Sequence, residues 1–418
     1  MIRLIWLGCL AYLTVGLGQL VVGAVMEPMV HAYGVQYGDG GQLVMNQFLG
    51  GLAGTLCAPF LMRRLGRRAL LLGAMSLMAA AEIIYTLAPP WSAMLVLGPV
   101  AGFGFGTTET VVGSFIIGSA GERANVAMSR VEVSFGMGAL LMPFVGALLI
   151  DIERWRLAFG VVGTLAVLTV ALWAIFWPSV LNAAPGSGAA QADGLGDGRR
   201  PVAGRLPLLG TGPVAGRLPL LGTGPARWVL IACAVFFFIY VGFEMSYAHY
   251  LPTLLVQQSG ISEAAAALAL GVYWGAMTIG RLYAGHLADR IGGAAYLLSM
   301  CVCAAVAFVL MGFFGSAAPM FVLAACAGLA MSGMFALALV FANRYAPGMT
   351  ERTTSLLMAC GLLGGALLPK LVGWSLDELG GGGTRWMLAG FAVLLLAIAA
   401  VASAASRAAA RAAVKVAA

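Results

Sequence analysis

Apolar runs recur along this chain about every thirty-five residues, and each can supply the ~20 residues that cross a bilayer as a helix. Inside hydrocarbon a chain must satisfy its own backbone hydrogen bonds, so such runs form helices or the strands of a closed barrel. Barrel strands alternate over ~10 residues, and these runs do not alternate, so helices are expected. Twelve spans are read, at 4–30, 41–62, 69–88, 92–118, 126–150, 157–179, 228–256, 262–287, 295–314, 318–342, 353–376 and 386–407. Only 9% of the 418 residues are charged while 61% are hydrophobic, which leaves too little charge to clothe a soluble domain. The first run is too long for a signal-peptide core and lacks a small-residue cleavage site, so it reads as a retained span.

Basic residues orient the spans. Arg63, Arg64, Arg67 and Arg68 follow span 2, Arg123 follows span 4, and Arg199, Arg200, Arg205, Arg217 and Arg227 lie between spans 6 and 7. Arg290, Arg344, Arg352, Arg407, Arg411 and Lys415 also follow even-numbered spans, whereas the opposite loops hold Arg154, Arg156 and Arg385. Both termini are therefore expected in the cytoplasm. This bias accounts for the net charge of +7, and no nucleic-acid partner is inferred from it. The seven cysteines lie within spans and form no CxxC pair, so neither a disulfide nor a metal site is expected. His31, His249 and His286 are isolated, which also argues against a metal.

Residues 180–227 break the pattern with Gly, Pro and Ala and carry the sequence PVAGRLPLLGTG twice, at 201–212 and 213–224. Such a stretch cannot bury a core and reads as a linker between a bundle at 1–179 and another at 228–418. A partner-binding arm is the functional alternative to a duplication tolerated in a linker. The flanking spans echo one another. Arg64-Leu65-Gly66 answers Arg290-Ile291-Gly292, GALLMP at 138–143 answers GALLP at 365–369, and Pro28 answers Pro252, at offsets of 224 to 227 residues. The expected fold is all-α and membrane-integral, with twelve helices in two pseudo-symmetric bundles of six.

This plan resembles that of major facilitator transporters, in which the solute sits near the midplane between the halves. GRLYAGHLADRIGG at 280–293 resembles the signature loop of that family through Gly285, Asp289, Arg290 and Gly292. The first-half copy, APFLMRRLGRR at 58–68, keeps Gly66, Arg67 and Arg68 but has Arg63 where the family usually has Asp and Pro59 where it usually has Gly. GFGTTETVVGSFI, MSRVEVSFGMGALLMP and YVGFEMSYAHYLPTLL resemble the fucose-permease-like branch, most closely its bacterial glucose/mannose:proton symporters. The resemblance implies a proton-coupling role for Glu109. It also implies a multi-pass protein of the bacterial inner membrane that needs one chain and no cofactor beyond the coupling proton. The first-span aspartate of the fucose permeases falls on Ala24, and the nearest acid, Glu27, is one turn further out.

The residues support the same roles on their own terms. Gly98, Gly102, Gly106, Glu109 and Gly113 share one helix face, and glycines at this spacing admit a neighbouring helix. Glu109 thus points into protein or a cavity, away from lipid. A charge at mid-membrane costs ~3 kcal/mol or more, so a carboxyl there marks a functional site by default. A structural glutamate bonded to another helix is the alternative. Glu132 shares a face with Gly136, Ala139 and Pro143 and is a second proton-coupling candidate, with Arg130 as an inner-gate residue. Glu244, with Tyr240 and Tyr247 on its face, offers a sugar an acceptor and stacking rings. Gln19, Asn46, Gln47 and Trp274 are further solute-contact candidates, although amides in a bundle often only link helices. Arg281, Asp289 and Arg290 open and form the signature loop and are expected to gate. Lys370 reads as snorkelling toward the interface.

An enzyme is disfavoured, because the chain has no GxxxxGK[ST] loop, no nucleophile elbow and no soluble domain. Proton-coupled uptake of a small polar solute, a hexose by the branch resemblance, is the expected function. The alternative is a proton-driven exporter. Family antiporters usually carry a Gly-Pro step in span 5, which reads SFGMGALLMPFVGALL here.

Overall fold

A computed structural model describes residues 2–120, 124–181, 225–344 and 350–417. The duplicated linker sequence lies outside them. Among the described residues there are thirteen α-helices and no strand: α1 (Ile2–Ala24), α2 (Met26–Tyr33), α3 (Tyr37–Leu65), α4 (Arg67–Thr86), α5 (Trp91–Ala120), α6 (Ala124–Asp151), α7 (Leu157–Ile175), α8 (Pro225–Ser259), α9 (Glu263–Ile291), α10 (Gly293–Phe313), α11 (Ala317–Met331), α12 (Met334–Arg344) and α13 (Thr350–Ala417). Eleven stretches are long and apolar enough to cross a membrane. The last of them spans 54 residues, roughly 80 Å as one helix and too long for a single ~30 Å crossing. Gly380 (φ 66°, ψ 178°) breaks it, so α13 supplies two crossings and the total is twelve. Large apolar side chains such as Trp6, Leu56, Val96, Leu148, Val306 and Val322 face outward, as lipid-facing helices require.

Two expected spans are each split, for local reasons. Span 1 divides at Ala24–Met26 because Pro28 has no N–H and its ring crowds the carbonyl of residue 24. The backbone still bonds from Val25 N to Val21 O and from Met29 N to Val25 O, so α2 continues the course of α1. Span 10 divides at Ser332–Gly333 between α11 and α12.

The internal repeat is visible in the backbone. Helices α3 and α9 are each 29 residues long and start 226 positions apart. Each ends on a glycine of positive φ, Gly66 (83°) and Gly292 (89°), and the next helix starts at once. Such a corner strains any residue with a Cβ, which explains why both signature loops carry glycine there. One turn before α3 and α9, Gly34 (62°) and Gly260 (63°) stand in the same relation.

Helices α1–α7 form one bundle and α8–α13 the other. They meet where α3 packs on α13, α6 on α9, and α1–α2 on α8. Twelve crossings put both termini at one end of the molecule, called here the termini end. At the far end the bundles touch closely. Between them α6 and α9 pack through side chains set against glycines. A Cβ on Gly271 would stand 2.9 Å from the Phe144 ring, and one on Gly275 3.5 Å from Leu140. One on Gly136 would stand 3.9 Å from Thr278.

Candidate functional site

The glycine face of α5 packs against α3. Gly102 backs onto the Gln47 carbonyl and Gly106 onto the Gly51 carbonyl, contacts that leave no room for a side chain. This close seam turns Glu109 toward the junction of the two bundles. Its carboxyl is half-buried and lines a cavity with Gln19, Gln47, Phe48, Phe105 and, from the second bundle, Leu362. Gln19 Nε2 donates to Glu109 Oε1 (3.3 Å). Tyr12 Oη donates to the Glu109 carbonyl (3.0 Å) and pins α1 to α5.

The second bundle contributes Glu244 of α8 and Arg281 of α9, whose Oε1 and Nη2 are 3.7 Å apart. The guanidinium also lies over the Trp274 ring, 5.9 Å from its centroid, and Nη2 is 3.2 Å from Met277 Sδ. Glu132 of α6 is exposed near the termini end, and it lies within electrostatic reach of Arg281. Glu109 in turn feels the charge of Glu132. Four ionisable groups thus run from one bundle to the other in the order Glu109, Glu132, Arg281, Glu244. One guanidinium is set against the carboxyls of Glu244 and Glu132, while the third carboxyl, Glu109, has Glu132 and Gln19 as its polar neighbours.

The structure sorts the other expected residues. Gln19 and Gln47 line the cavity beside Glu109. Trp274 is buried against Arg281, and its Nε1 has no hydrogen-bond partner among the described residues. Asn46 donates to the Leu95 carbonyl (3.0 Å) and so ties α3 to α5. Tyr240 and Tyr247, expected beside the solute, are buried inside the second bundle, and Tyr240 stands beside Glu244. The Tyr240 hydroxyl donates to the Met331 carbonyl (3.0 Å), and that of Tyr247 lies 3.5 Å from Met311 Sδ between the rings of Tyr273 and Phe308. Arg281 joins the charge row eleven residues before the loop corner at Gly292 rather than the loop itself. Arg130, Asp289 and Arg290 are exposed toward the termini end, with no ion pair to any of them among the described residues.

A second cluster, holding none of the expected site residues, closes the far end. Asp377 of α13 accepts from the backbone N–H groups of Tyr37 (2.9 Å) and Gly38 (2.6 Å) and so caps α3 across the bundle boundary. Lys370 does not snorkel to lipid. Its Nζ donates to the Gly38 carbonyl (2.8 Å) and to Gln42 Oε1 (3.4 Å). Tyr250 Oη donates to the Tyr37 carbonyl (2.8 Å). Asp377 and Lys370 are seven apart and share a helix face, which is the one sequence signal that links them. A further residue passed over is Glu82, fully buried in α4 with neither oxygen hydrogen-bonded among the described residues.

Because a cap is worth about 0.5–2 kcal/mol, Asp377→Ala is expected to shift the balance toward an open far end by about 2- to 30-fold. Spin labels at the far ends of α2 and α9 should report a longer distance in the variant. An unchanged distance distribution would remove Asp377 from the closure.

The profile described as Major Facilitator Superfamily matches residues 8–369 and 250–415. A glucose/mannose transporter, GlcP, of Bacillus subtilis (strain 168) is 28% identical over 369 residues, covering 88% of this chain and 86% of that protein. Solved structures share the fold at low identity. A bacterial homologue of the human drug peptide transporters superposes with a TM-score of 0.73 at 12% identity, covering 97% of this chain and 98% of that one. The nucleoside transporter NupG superposes with a TM-score of 0.70 at 14% identity, covering 96% and 98%.

Proposed function

The chain belongs to the major facilitator superfamily, and from that premise we propose that it carries a hexose together with a proton by alternating access. It is a membrane transporter rather than an enzyme. The observation that carries the coupled reading is the row Glu109, Glu132, Arg281, Glu244, which joins the bundles with three carboxyls to one cation.

In this reading Glu109 is the proton carrier. With a proton it loses the charge that opposes burial, so the bundles 1–179 and 228–407 can rock about the cavity. Proton release to the termini end restores the charge and resets the carrier. Gln19, Gln47 and Glu244 present the donors and acceptors that sugar hydroxyls require, and Trp274 adds an aromatic wall. The named activity of the Bacillus relative supports a hexose. The termini end is assigned to the cytoplasm by the basic-residue bias, and the membrane to the inner membrane of a bacterium. Arg130, Asp289 and Arg290 stand at that mouth as gate residues, and one chain suffices.

Counterflow in proteoliposomes tests the solute class, because the fold neighbours carry unlike cargoes. Vesicles preloaded with unlabelled glucose should draw in labelled glucose, and external mannose should compete. A nucleoside or a dipeptide should not. Counterflow driven by either of those and not by a hexose would overturn the sugar reading.

A further inference from the structure

Three buried side chains on the seam between the bundles hold polar atoms that complete no hydrogen bond among the described residues. His249 of α8 is fully buried, and neither ring nitrogen has a partner among the described residues. Thr253, one turn further along α8, is equally buried; its hydroxyl faces Glu27 without completing a hydrogen bond. Across the seam Glu27 of α2 is 3% exposed. Its Oε1 accepts from Tyr37 Oη (3.0 Å) and lies 3.7 Å from His31 Nε2, whereas Oε2 has no hydrogen-bond partner among the described residues.

These groups extend the lining of the cavity. Gln19, Gly23 and Glu27 stand four residues apart on α1 and its continuation α2, so they share a face. Gln19 lines the cavity beside Glu109. Gly23 backs onto His249, whose Nδ1 would lie 2.6 Å from a Cβ there, so only glycine lets the imidazole occupy the seam. Glu27 meets Thr253. A polar column therefore runs from the cavity toward the far end, with its two walls in different bundles. Burying such atoms unpaired is unfavourable, and native proteins keep few of them. Parting the far end would uncover all three side chains together.

We propose that His249, Thr253 and Glu27 form an outer binding site that engages the hydroxyls of the incoming solute before the far end closes and the solute passes to Gln19. A neutral imidazole offers one donor and one acceptor, a threonine hydroxyl offers both, and a carboxylate accepts. A polyhydroxylated solute matches that set. The inference rests on the hexose reading above and adds where the sugar first binds.

The test uses wild-type protein in proteoliposomes during glucose exchange, treated with diethyl pyrocarbonate. Modification of each of the three histidines is read by peptide mass spectrometry. His31, 60% exposed, serves as the reactive control. His249 should be modified during turnover and protected by excess glucose. His249→Leu should raise KM for external glucose about tenfold with kcat nearly unchanged, and His249→Asn, which keeps a donor and an acceptor, should recover most of the loss. A His249 that stays unmodified during turnover, or is modified without protection while glucose exchange proceeds, would remove this site and leave the transporter reading intact. Wild-type protein that exchanges no hexose would remove the sugar reading, and the proposed ligand with it.

Discussion

Replacing Glu109 by glutamine is expected to abolish proton-driven accumulation of hexose while leaving hexose exchange in place. Glutamine keeps the shape of the protonated acid and its contact with Gln19, but it neither binds nor releases a proton. The cavity and the seam between α3 and α5 should therefore survive. A potential of 100 mV acting on one co-transported charge is worth about 2.3 kcal/mol, or about fiftyfold accumulation. The variant should fall from that level toward no accumulation, while counterflow continues near the wild-type rate. Accumulation equal to wild type would show that another group carries the proton.

The second large effect is expected at Arg281. Its guanidinium is the one cation in the row, set between the buried carboxyl of Glu244 at 3.7 Å and the carboxyl of Glu132. Arg281→Met leaves Glu244 without a counter-charge in a dry setting. Breaking a fully buried pair costs 3–5 kcal/mol, and at a guanidinium 40% exposed the loss is on the order of 1–3 kcal/mol after screening. Hexose uptake should be lost and the melting temperature lowered. Adding Glu244→Gln should restore much of the stability, since the stranded charge is then gone, but should not restore uptake. Full uptake by Arg281→Met would show that the row is structural only.

The parts of this molecule legible in its sequence are those governed by local chemistry. Helix spans follow from runs of apolar residues, and the loop corners at Gly66 and Gly292 follow from a backbone that excludes a Cβ. The inward turn of Glu109 follows from the glycines around it, because their spacing already specifies a close neighbour. The neighbour itself, α3, is a tertiary fact. The same limit explains the tyrosines. Helical spacing puts Tyr240 and Tyr247 on the face of Glu244, yet Met331 and Met311, which take their hydroxyls, lie 91 and 64 residues away. The far-end closure depends on pairings still more remote, such as Tyr37 with Asp377 across 340 positions. No local pattern encodes that contact. Lys370 illustrates the converse error: a lysine late in a span usually reaches for the interface, but here a helix of the other bundle offers a carbonyl first.

The most direct test of the proton-coupled reading is lumenal pH. Purified protein is reconstituted in proteoliposomes with a pH-sensitive dye inside, and glucose or mannose is added outside. The account predicts acidification of the lumen with either sugar and none with Glu109→Gln. Sugar exchange without any proton movement, or acidification that Glu109→Gln leaves intact, would contradict it. A lumenal pH change on adding amphipathic drugs, with no response to sugars, would point to the proton-driven exporter instead.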